Sequence, residues 1–174
     1  LSAEEMYRAV MERFPQADGA VMCAVFNSVI ALAWLNCPGS FSQMLPPEIR
    51  KAAPKRTKRE VKTLVLTIYP LYILLIVYAI LSSYFAGING FWNLFWTAYI
   101  EMMFIDLGDF FGLDFLFRSR MKARIMIPGT EHCEAWNTKK WMLTLAIPEH
   151  WVLWPLVICP LVGLICAGVG VWVR

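Results

Sequence analysis

Apolar positions in this chain fall into four long runs separated by polar, Pro- and Gly-bearing connections. Residues 20–36, 63–85, 91–113 and 151–173 are each apolar over about the 17–25 residues a membrane-crossing helix needs. Ahead of them, residues 2–14 repeat Met6, Ala9, Val10 and Phe14 at helical spacing, with Ser2 and Glu5 in capping-box register. The pattern predicts an all-α integral membrane four-helix bundle, preceded by an amphipathic helix on the surface that Pro15 to Gly19 separates from the first span. Cys37-Pro38-Gly39 ends span one, and the Asn89-Gly90 turn joins spans two and three.

Composition strengthens this picture. Of 174 residues, 59% are hydrophobic, against about 45–50% in soluble domains. Eight tryptophans suit interfacial belts, and those at 151, 154 and 172 flank the last run. The five cysteines form no metal-finger or secreted-disulfide spacing and read as reduced. The first 18 residues are net acidic, unlike a signal peptide.

Charge sets the expected orientation. Residues 37–62 carry seven Lys and Arg against two Glu, a net +5, and residues 118–150 carry six against three, a net +3. The positive-inside rule places both connections in the cytoplasm of a multi-pass cell-membrane protein with both termini external. The expected partners are the bilayer, anionic head groups on the cytoplasmic face, and a second copy or another membrane protein. No nucleic-acid partner is expected. The stretch 139–148, apolar but too short to span, is expected at the interface or as a partial re-entry.

The third run carries the chemistry. Glu101, Asp106, Asp109 and Asp114 lie among Phe and Leu, where an unpaired carboxylate costs several kcal/mol. At about 100° per residue, Asp106 and Asp109 are about 60° apart and Glu101 and Asp109 about 80°, so these three share a face, while Asp114 falls on another side. Glu101, Asp106 and Asp109 are the candidate catalytic residues, with Glu101 as a proton carrier. Asp114 and Arg118 have the spacing of an ion pair. Gly108 and Gly112 serve either close packing or a break. The two histidines, His132 and His150, each follow a glutamate and are expected at the same membrane face as the acids. Carboxylates with imidazoles make Asp106, Asp109, Glu131, His132 and His150 the candidate ligands of a divalent ion, with Mg, Mn, Fe and Zn not distinguished. Arg118, Arg120 and Arg124 are the candidate contacts for a phosphate-bearing substrate.

An Asp-rich span followed by a basic stretch and Ile127-Pro128-Gly129-Thr130-Glu131 resembles a group of small uncharacterised bacterial multi-pass membrane proteins. The resemblance covers roughly residues 100–135 and implies membrane location without an activity. The reading from sequence is a cation-dependent acidic and His site at the cytoplasmic face, acting on a lipid or phosphorylated substrate. An ion- or proton-coupled transporter working as an oligomer, and a non-enzymatic subunit of a larger complex, are the alternatives.

Overall fold

The computed structural model describes the backbone of residues 3–173 and the side chains of residues 17–173. The Ser2–Glu5 capping box and the apolar face of residues 6–14 lie outside the described residues. Among the described residues the chain is helical throughout, without a strand. The helices are α1 (Ala3–Asn36), α2 (Pro47–Ala52), α3 (Lys58–Phe85), α4 (Phe91–Gly108), α5 (Arg118–Ile125), α6 (Thr138–Trp141) and α7 (Cys159–Trp172). Three stretches among the described residues are long and apolar enough to cross a membrane: Ala17–Asn36, Lys58–Phe85 and Thr138–Trp172. The fold is therefore all-helical and of membrane-protein composition.

Three boundaries differ from the sequence expectation. Helix α1 runs through Pro15 and Gly19 without a break. An internal proline removes one backbone donor and bends a helix, but need not end it. Helix α3 begins five residues early because Thr57 caps it: Thr57 Oγ1 accepts from Glu60 N, and Glu60 returns a bond to Thr57 N at 2.6 Å. The last helix begins at Thr138, well before residue 151, so residues 139–148 form its first turns instead of a separate interfacial piece. π-helical turns over Met142–Ala146 and Glu149–Ile158 lie on either side of Pro148 and around Pro155. Such turns shift the hydrogen-bond ladder by one residue and absorb missing donors.

Helix α4 occupies the centre. It packs on α1 along one side and on α7 along the other, while α3 lies against α1 and α7. Close approach depends on glycine. A Cβ on Gly108 would collide with Cys23 and Asn27 of α1, and one on Gly163 would stand 2.9 Å from the Phe95 ring of α4. Gly112 has open space around it, so only Gly108 of the predicted pair serves packing. Glu101 and Asp106 of α4 are both buried. The outside is apolar instead: Leu66, Ile73, Leu74, Leu81, Leu156 and Leu161 are exposed. Exposed apolar stripes around a buried polar interior are the arrangement a bilayer selects.

The two basic connections fold against each other beneath the helices. The Glu48 carboxylate accepts from Glu134 N at 2.9 Å and Ala135 N at 3.1 Å, joining α2 to the 134–136 turn. Ile49, Ile125, Ile127 and Trp136 are buried in this layer. Gly129 adopts a φ of +87° in the Pro128-Gly129 turn, as the sequence predicts.

Candidate functional site

The site forms where α4 gives way to a π-helical stretch, Asp109–Phe117, before continuing as α5. A π turn takes more residues per revolution than an α turn. Asp114, which ideal α geometry places about 80° from Asp106, is thereby brought closer to the side that Asp106 occupies. The two aspartates meet His150, which the early start of the last helix carries into the interior.

His150 is 3% exposed and lies between them. Its Nδ1 is 2.6 Å from Asp106 Oδ1, and its Nε2 is 3.1 Å from Asp114 Oδ2. A neutral imidazole has one donor and one acceptor. Bridging two carboxylates therefore takes either an imidazolium or one protonated aspartate. Both arrangements hold the same number of protons and leave the trio with a single net negative charge. The trio can pass a proton from one aspartate to the other through the ring.

The surrounding side chains fix this geometry. Trp141 Nε1 donates to Asp114 Oδ1 at 3.0 Å. Trp141 itself is stacked between Trp34 and Trp136, with ring centroids 6.0 and 5.6 Å away. Arg118, fully buried, donates to the carbonyls of Asp114 at 2.9 Å and Trp136 at 3.1 Å and to Thr138 Oγ1 at 2.9 Å. Its guanidinium carbon lies 5.2 Å from the Trp141 ring centroid. Arg118 thus bonds the main chain of Asp114 and not its carboxylate, which corrects the ion pair expected from spacing.

A cavity of about 100 Å³ opens beside the trio. Asp109, Asp114, Glu149 and His150 supply its polar wall, and aromatic rings supply much of the rest. The Asp109 carboxylate holds no hydrogen bond among the described residues. Four carboxylates, including Asp106 behind the ring, thus face one imidazole and one arginine that is already engaged. The polar wall is rich in carboxyl groups.

The other predicted site residues lie elsewhere. Glu131 and His132 are exposed on the turn after α5, where Glu131 accepts from Gly129 N at 3.1 Å. They do not join the buried cluster, so the expected convergence of both Glu–His pairs is not found: tight packing of the 126–136 turn leaves both side chains outward. Arg120 and Arg124 are exposed, and Arg118 is occupied. Glu101 is fully buried one and a half turns along α4 from Asp106, and neither of its oxygens has a hydrogen-bond partner among the described residues. Among the described residues no three His, Cys, Asp or Glu side chains are grouped to hold a metal ion. Both ring nitrogens of His150 already face carboxylates, so the imidazole has no free lone pair to offer a divalent ion.

Sequence reasoning missed Glu149 and the aromatic wall. It also missed Asp18, counted with the acidic amino terminus but buried, where it accepts from Tyr78 Oη at 2.7 Å and from Ser82 Oγ. Pairing each carboxylate with a Trp, Tyr or His on another run was the available signal. Comparisons with family models, curated proteins and solved structures returned no match.

Proposed function

We propose that this is a four-span membrane protein that binds a cation in its interior, close to the two basic connections, which face the cytoplasm. Helices α1, α3, α4 and the Thr138–Trp172 stretch are the spans, and both termini lie outside. The observation that carries the reading is the carboxyl-rich wall: Asp109 and Glu149 on an internal cavity, backed by the Asp106–His150–Asp114 trio. Isolated carboxylates in low dielectric are strongly disfavoured, so these groups ionise at least cost when a cation enters and their protons leave. The trio's role is to hold a proton and to exchange it when the cavity fills.

Coupled transport is the second reading. The acids come from α1, from the α4–α5 stretch and from the last span, as a path through the protein requires. A lipid or phosphorylated substrate has less support, because Arg118 is engaged by main-chain carbonyls and only the outward Arg120 and Arg124 are free to meet phosphate. A divalent ion would have to rely on Asp109 and Glu149 with water.

Titration calorimetry on the detergent-purified protein tests the reading, with sodium, potassium, magnesium, manganese and tetramethylammonium chlorides and a pH series as ligands. Binding that Asp109→Asn and Glu149→Gln each weaken is the expected result, with proton release on binding. Absence of heat from every cation and no proton release at any pH would overturn it. Elemental analysis of the same samples identifies any divalent ion that copurifies.

A further inference from the structure

The walls of this cavity indicate which cation it takes. Phe26, Trp34, Phe41, Tyr72, Trp141 and Trp154 all line it. They form two connected groups. Phe26 contacts Tyr72 and Trp154 with centroids 5.9 and 6.1 Å away, and Trp34 contacts Phe41 and Trp141 at 5.8 and 6.0 Å. A small hard ion needs six or so oxygens close around it. Here the Asp114 oxygens are already taken by Trp141 and His150, which leaves the Asp109 and Glu149 carboxylates. Too few oxygens remain for a dehydrated metal ion, and much of the wall is aromatic.

Such a wall suits a cation whose charge is spread over carbon. Aromatic faces attract ammonium groups within about 6 Å of the ring centroid, most strongly when both are removed from water. The volume bounds the ligand: about 100 Å³ is room for about three waters and less than the roughly 150 Å³ of a benzene-binding cavity, so a primary ammonium compound fits inside and a quaternary one extends toward the opening at Met44. A second observation points to a ligand. Trp34 is buried, yet its Nε1 has no acceptor among the described residues. A buried indole N–H without a partner costs about 1–3 kcal/mol, which an oxygen on the ligand would recover. Met44, 47% exposed, also lines the cavity, so the space reaches the surface beside the Pro38–Met44 turn.

Resting on the cation-binding reading above, we infer that the cavity binds a small organic ammonium compound bearing a hydrogen-bond acceptor, an amino alcohol or its quaternary form. Its nitrogen sits among the rings toward Asp109, and its oxygen accepts from Trp34. Choline and ethanolamine are suitable probes, whether the natural source is a free solute or a lipid head group.

Tryptophan fluorescence and calorimetry, with the protein in phosphatidylglycerol nanodiscs, test this. Choline, ethanolamine and tetramethylammonium should bind saturably, and the neutral isostere 3,3-dimethylbutan-1-ol should bind at least roughly tenfold more weakly. Asp109→Asn, which breaks no hydrogen bond, should weaken the ammonium compounds and leave the neutral alcohol unchanged. Trp34→Phe should bring choline down to the affinity of tetramethylammonium. Equal binding of choline and its neutral isostere, or ammonium binding that Asp109→Asn leaves intact, overturns the inference. If sodium or magnesium binds through Asp109 and Glu149 while no ammonium compound does, the cation site stands and the organic ligand falls. Nanodiscs of phosphatidylcholine separate the sources. Competition there with free choline assigns the site to a head group, and unchanged affinity assigns it to a solute.

Discussion

Helix α4 carries two kinds of buried acid. Asp106 is tied to His150, which reaches on to Asp114, Trp141 and, through the main chain, Arg118. Glu101, on the same helix and equally buried, touches no donor among the described residues. The first acid is part of the architecture and the second is carried by it. The difference teaches that burial of a carboxylate in an apolar helix does not identify its role. What identifies it is the partner set, and that set is assembled from other helices.

Removing the imidazole is the most severe way to break this contrast. His150→Ala leaves Asp106 and Asp114 buried without the group between them. The expected loss is about 3–5 kcal/mol, as when one partner of a buried ionic pair is deleted. A large drop in detergent melting temperature checks it, and an unchanged melting temperature would show that the trio does not hold the fold. Next in size, Trp141→Phe keeps a ring in the stack and deletes only the N–H to Asp114. The expected cost is about 1–3 kcal/mol, that of one buried acceptor left without its donor.

Glu101→Gln is expected to cost under about 1 kcal/mol, because no hydrogen bond is lost with the charge. Its effect belongs instead to proton exchange: release on cation binding should differ from wild type while the melting temperature holds. A loss comparable to that of His150→Ala would erase the distinction between the two acids.

The smallest effect is expected outside the membrane, at Glu48. Partial desolvation pushes its carboxyl up, but the Glu134 N–H, the Lys140 ammonium and the Ala135 N–H more than offset this and hold it below the ordinary carboxylate range. A carboxyl depressed by folding contributes stability above its unfolded pKa, and that contribution is lost as pH falls through the folded value. Glu48→Gln should therefore lower the melting temperature slightly at neutral pH, and the gap from wild type should close on acidification. A gap that widens in acid would contradict this.

How much of this was present in the linear chain follows from which forces act locally. Apolar runs of sufficient length, the Asn89-Gly90 and Pro128-Gly129 turns, and the placing of acids in a mid-chain span are properties of short windows. They predicted the all-helical, membrane-type fold. Asp106, Asp109 and His150 were singled out for the same reason, because a charged or titratable group inside or beside an apolar run is conspicuous by itself. The rest was not local. Asp114 stands about 80° from Asp106 on an α-helical wheel, and the π-helical stretch narrows that angle so that both meet one ring. Glu149 and His150 enter the interior only because the last helix starts at Thr138 and accommodates Pro148. Trp34, Phe41, Tyr72, Trp141 and Trp154 look like interfacial or core aromatics one by one, and become a cavity wall when three helices and a turn converge. The sequence by itself determined that polar groups would be buried in this protein. Which of them would be partnered, and which would line a space, was decided by helix packing, because a hydrogen bond depends on ångström distances between residues that lie dozens of positions apart.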